Sequence, residues 1–223
     1  MQLAHNSECP DTPKFVAGEF WGQFQTDILA QLGDLHRLEQ CARKAMPALY
    51  RYLCSQSEYQ SQMTKIQHEP FEGYSLSYPL FENDTIRVNL NAIEPARGLP
   101  LHNHPDSAGL TFIIQGKANI VLCNTATSNE HCGTNNSILT VMENKILSSG
   151  EISCFTKDQH NIHSIDAVSE RCVMLVVHSN VKMTKKQSYF FTESTNKIIG
   201  LQLLTQRIDA ETLKKFRPNK TQK

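Results

Sequence analysis

The sequence predicts a mainly β fold, a sandwich or barrel of short strands behind a helical lead-in, and three features point there. From Gly73 onward apolar residues recur with period two, in short runs divided by turn residues. Helical spacing is confined to an earlier stretch, Phe20 to Leu53, so no helices separate the strand-like runs as an α/β fold would require. The length, 223 residues, suits one domain with a sizeable core better than two.

In the lead-in, Trp21, Phe24, Ile28, Leu32, Leu35, Leu38, Ala42, Ala45, Leu49 and Leu53 form one apolar stripe, which reads as a packing face. Asp34 follows Gly33 and is placed to cap a new helix, because its side-chain oxygen can accept from a first-turn N–H. Pro47 has no N–H and is expected to end or kink the helix that contains it, giving two or three short helices. In the first clear strand Ile86, Val88, Leu90 and Ala92 share one face. Further strands are expected at Leu110 to Ile114, Ala118 to Leu122, Ile138 to Met142, Ile152 to Phe155, Arg171 to His178 and Ile198 to Leu204. Turns fall at Gln115-Gly116-Lys117 and Ser148-Ser149-Gly150, and Asn124 to Asn136 reads as a loop between two halves of the barrel. Residues 1–72 are thus read as the lead-in, 73–207 as the barrel and 208–223 as a basic tail.

Lysine plus arginine equal aspartate plus glutamate at 22 each, so no overall field draws the chain to nucleic acid or to an anionic membrane. A small molecule or a peptide is the expected partner. No apolar run approaches a membrane span, and the start lacks the pattern of a secretory signal. Seven cysteines without a CxxC pair fit reduced thiols, so the expected location is the cytoplasm.

His102 and His104 flank Asn103, and on a strand such a pair points to one face and can converge on one ion. Pro100 and Pro105 confine the pair to a short extended stretch. His163, in the later run Asn161-Ile162-His163-Ser164-Ile165, is a third candidate ligand, with His160 its rival. Neutral imidazoles suit Fe(II), Zn(II), Cu(II) or Ni(II), so the ligand type alone leaves the metal open.

The run Leu99-Pro100-Leu101-His102-Asn103-His104-Pro105, with Gly116 in register, resembles the first motif of the cupins, double-stranded β-helix or jelly-roll barrels. In that motif an acid stands where this chain has Gly109. A cupin with three neutral ligands is similar to the thiol dioxygenases. The two histidine runs most resemble the family of cysteamine (2-aminoethanethiol) dioxygenases and plant cysteine oxidases, over roughly residues 74 to 178. The resemblance implies one Fe(II) per chain on His102, His104 and His163. It also implies oxidation by O2 of a small aminothiol, or of a peptide's N-terminal cysteine, to the sulfinic acid. A three-histidine cupin acting on a non-thiol substrate, and a non-catalytic ligand- or metal-sensing cupin, are the rival readings.

The chain departs from that family in the late strand, where an aspartate and then a Pro-Pro-Tyr turn are expected. Here Leu175 stands about where the acid would be, followed by Ser179-Asn180-Val181. Three candidates remain for the substrate's surroundings. Asp106 lies two residues beyond His104 and shares its face if the strand continues, or else caps a turn. Leu175 would make the pocket apolar, and Tyr189 is a candidate catalytic hydroxyl whose plainer role is core packing.

Overall fold

The computed structural model describes residues 19–70, 73–95, 97–104, 107–125, 136–179, 190–199 and 202–208. Asp106, Tyr189, most of the expected loop and nearly all of the expected tail lie outside these residues.

Among the described residues three helices lead in: α1 (Glu19–Leu29), α2 (Leu35–Cys54) and α3 (Ser57–His68). Asp34 caps α2, its Oδ1 accepting from the Arg37 N–H at 3.1 Å. Pro47 lies inside α2 instead of ending it. The buried stripe continues across it, and Leu49 and Leu53 beyond it are completely buried. Burying these two, at about 1.5–3 kcal/mol each, offsets the roughly 3 kcal/mol cost of an interior proline. Helix α3 was not expected, because its sequence is nearly all polar and buries only Tyr59 and Ile66.

Among the described residues eleven strands follow: β1 (Leu76–Glu82), β2 (Ile86–Ile93), β3 (Leu99–Asn103), β4 (Gly109–Gln115), β5 (Lys117–Thr125), β6 (Asn136–Ser148), β7 (Ile152–Phe155), β8 (Ile162–Ala167), β9 (Cys172–Ser179), β10 (Phe190–Ile199) and β11 (Gln202–Ile208). They form a five-stranded sheet in the order β1-β2-β9-β4-β7 and a closed ring in the order β10-β11-β6-β5-β8-β3. The single strand expected at Ile198 to Leu204 instead falls across the end of β10 and the start of β11, which pair antiparallel with Ile199 opposite Gln202.

Alternation along the strands divides the interior. Val88, Leu90, Leu110, Phe112, Leu175 and Val177 face α2 and α3 in one cluster with Leu38, Met46, Leu49 and Ile66. Ile113, Met174 and Val176 face the other way and pack against Ala118, Ile120, Leu122 and Ile165 of the ring. Arg171 ties the lead-in to this frame by donating from Nη1 to the Ile66 carbonyl at 2.8 Å while pairing with Glu94. The functional side chains sit between sheet and ring, beside the second cluster.

Candidate metal centre

His102 on β3 and His163 on β8 are direct cross-strand partners. The register shifts between Leu99 and His102, which brings His102 onto the sheet-facing side while Leu101 packs into the cluster on the ring's other face. His104 follows two residues later, just past the end of β3. The three rings meet with centroids 4.7 Å (102–104), 4.7 Å (102–163) and 5.0 Å (104–163) apart. One nitrogen from each lies within 4.8 Å of the others, so a single ion can reach all three.

Each ring is set by its neighbours. His102 Nδ1 is 2.7 Å from the Pro100 carbonyl; as the donor of that bond it leaves Nε2 for the site. Asn161, one residue before β8, clasps His104 from both sides. Its Oδ1 accepts from the His104 N–H at 2.7 Å, and its Nδ2 donates to the His104 carbonyl at 2.9 Å. Phe155 of β7 stacks on His104 at 4.8 Å and 21°. A small void beside His163 is lined by Thr111, Ser153, Phe155 and other residues.

Burial is the largest influence on all three imidazoles and pushes them below the ordinary histidine range; for His104 and His163 the fall is large and the neighbouring rings deepen it. All three are therefore neutral at neutral pH, with lone pairs available to a metal. Nε2 of His104 is buried and has no hydrogen-bond partner. An orphaned buried acceptor beside two further ring nitrogens fits a cation there, since burying it unpaired costs about 1–3 kcal/mol.

The structure adds a residue that sequence reasoning missed. His178 of β9 projects into the same space, 4.7 Å from the His104 ring and 5.8 Å from Phe155. Burial first, then the charges of His102 and Arg87, push it down to about 4. It comes near through Gly109: a Cβ built there would meet the Val177 carbonyl at 2.5 Å, Phe155 Cζ at 2.7 Å and His178 Cδ2 at 2.8 Å. Leu175 does not line the site. It is completely buried on the helix side of β9, the opposite face from His178, so its proposed contact with substrate is corrected. His160 is not in the three-histidine group; its backbone has φ 58°, and its N–H donates to Asn124 Oδ1 at 2.8 Å.

The two-layered antiparallel fold with three histidines between its layers is a cupin with a candidate metal centre. The chain belongs to the PCO_ADO family, that of the plant cysteine oxidases and cysteamine dioxygenases, whose model matches residues 51–218. No curated protein matches it. Solved structures similar to it include a protein with a double-stranded β-helix domain from Klebsiella pneumoniae, at 16% identity and TM-score 0.38, covering 51% of this chain and 84% of that one. A cupin superfamily protein from Desulfitobacterium hafniense is similar at 19% identity and TM-score 0.34, covering 49% and 80%. Among the described residues Cys41, Cys54, Cys123, Cys154 and Cys172 are free thiols, and no helix is long and apolar enough to cross a membrane.

Proposed function

We propose that the chain is an iron-dependent thiol dioxygenase, converting RSH and O2 to the sulfinic acid RSO2H in a reducing intracellular compartment. The observation that carries this reading is the ligand set: three neutral imidazoles, two buried and one half-buried, and no carboxylate among them. Such a set leaves the charge of a dication uncompensated, and a thiol that coordinates a dication gives up its proton. Family membership supports the same chemistry. Iron, when bound there, supplies the redox chemistry that adds both atoms of O2 to sulfur.

The protein's own part is holding and shielding. His102, His104 and His163 would hold the ion, with the Pro100 carbonyl and Asn161 fixing two of the rings. Phe155 covers His104 and keeps water from that side. Oxygen uptake with a panel of thiols, read together with product mass, tests the proposal. A gain of two oxygens on the thiol, with oxygen consumed in proportion, is expected. Disulfide as the sole product, or turnover of a substrate without a thiol, would refute it.

A further inference from the structure

At the level of the metal centre one row of residues crosses the five-stranded sheet: Glu82, Arg87, His178, Gly109 and Phe155, each the register partner of the next. Alternation settles the face of its central members. Ile86 and Val88 of β2 and Val177 of β9 pack toward the helices, so Arg87 and His178 face the ring. The His178 ring leans across Gly109 toward His104, and Arg87 stands on its other flank. Directly opposed residues on one face have Cβ atoms about 5 Å apart.

Arg87 is itself held in place. Its Nε and Nη2 donate to Glu82 at 3.0 and 2.6 Å, a fork that occupies two of the guanidinium's N–H groups. The arginine side chain is 21% exposed and the glutamate 47%, so the cation is the inner member of the pair. The Arg87 charge acts directly on the His178 ring.

We infer that Arg87 and His178 form the substrate-recognising edge of the metal centre, and that they select a thiol carrying a carboxylate over one whose only charge is an ammonium. This rests on the thiol dioxygenase reading and names its substrate class. Three neutral ligands leave a dication with both charges uncancelled. A thiolate cancels one, and a carboxylate facing Arg87 cancels the other. The N–H groups of Arg87 that Glu82 leaves, and a ring N–H of His178, are donors such a carboxylate needs. An ammonium would instead add positive charge beside Arg87, whose partner Glu82 is already engaged.

Titration calorimetry of the iron-loaded protein under nitrogen reads binding without turnover. The probes are 3-mercaptopropionate, 2-aminoethanethiol and 1-propanethiol. The carboxylate thiol is expected to bind about ten- to a hundredfold tighter than the others, the range of charge-assisted hydrogen bonds. Arg87→Gln should abolish that preference and leave 1-propanethiol unchanged. Glu82→Gln, which releases the guanidinium, should enlarge the preference, an effect that damage to the fold would not produce. His178→Phe keeps the ring but loses its N–H, and should reduce the preference while retaining iron. Equal affinity for the three probes, or a preference that survives Arg87→Gln in folded, iron-loaded protein, overturns the inference and leaves the thiol reading intact. No binding of any probe overturns the thiol reading, and this inference with it.

Discussion

Replacing Asn161 with alanine tests whether the metal centre is preorganised by a backbone clasp. Asn161 accepts from the His104 N–H at 2.7 Å and donates to the carbonyls of His104 at 2.9 Å, Lys157 at 3.1 Å and Thr156 at 3.3 Å. His104 lies past the end of β3, so the strand ladder does not fix it and the carboxamide does. At about 1 kcal/mol net per hydrogen bond, and with the two longer bonds contributing less, Asn161→Ala should cost about 2–3 kcal/mol of stability. Metal affinity should fall about ten- to a hundredfold, the usual effect of losing a group that orients a ligand. Asn161→Asp keeps the acceptor but turns carboxylate oxygen toward the three carbonyls, so it should do no better. Urea unfolding of metal-free protein measures the first effect, and competition with a chelator for Fe(II) measures the second. Lost stability with unchanged iron affinity in Asn161→Ala would refute the reasoning, since His104 would then be held by something other than the clasp.

Two further outcomes follow from the site. Iron content should fall to near zero in His102→Ala and His163→Ala, with the fold intact because a catalytic metal occupies a preformed scaffold, and should persist in His160→Ala; the reverse pattern for His160 and His163 would reassign the third ligand. Metal-free protein should lose stability as pH falls from about 6.5, the unfolded histidine value, toward about 4, where burial places His178, because the unfolded chain takes up protons in that window that the folded ring refuses. His178 contributes at most about 3 kcal/mol to this loss, and the other three depressed rings add to it in the same direction. Urea midpoints against pH check the effect, and an unaltered pH dependence in His178→Phe would contradict a buried neutral ring.

The first three histidines are legible in the sequence because their signal is local: two lie at strand spacing between prolines, and the third lies in a run that resembles a family motif. His178 is not legible for a physical reason. Nearly every residue of β9 is buried, with the helices on one face and the ring on the other, so its run is apolar throughout and parity cannot say which face meets the site. The place of the family's acid assigns Leu175 to the pocket, whereas Met174, Val176 and His178 hold the inward positions. Asn161 is visible as part of a motif, but its action on a backbone 57 residues away is not. Arg87 reads from sequence as the polar side of an alternating strand, and only the β2–β9 register places it beside a histidine.

Gly109 links these observations. In the cupin motif that position carries an acid, and here its φ lies outside the left-handed region, so backbone strain does not demand glycine. Space does: the carbonyl of Val177 and the rings of Phe155 and His178 occupy what any Cβ would need. An acid could enter only by displacing Phe155 from its stack on His104, which would disturb a ligand in the act of adding one. The neutral ligand set is therefore enforced by packing as well as by the residue at one position. A dication held by neutral rings in a buried site must find its anions elsewhere, because unpaired buried charge is costly. The sheet offers a cation in the same row, clamped by Glu82 and turned inward. On the proposed reading, both negative charges of a neutral complex then come from the substrate, one on sulfur and one facing Arg87.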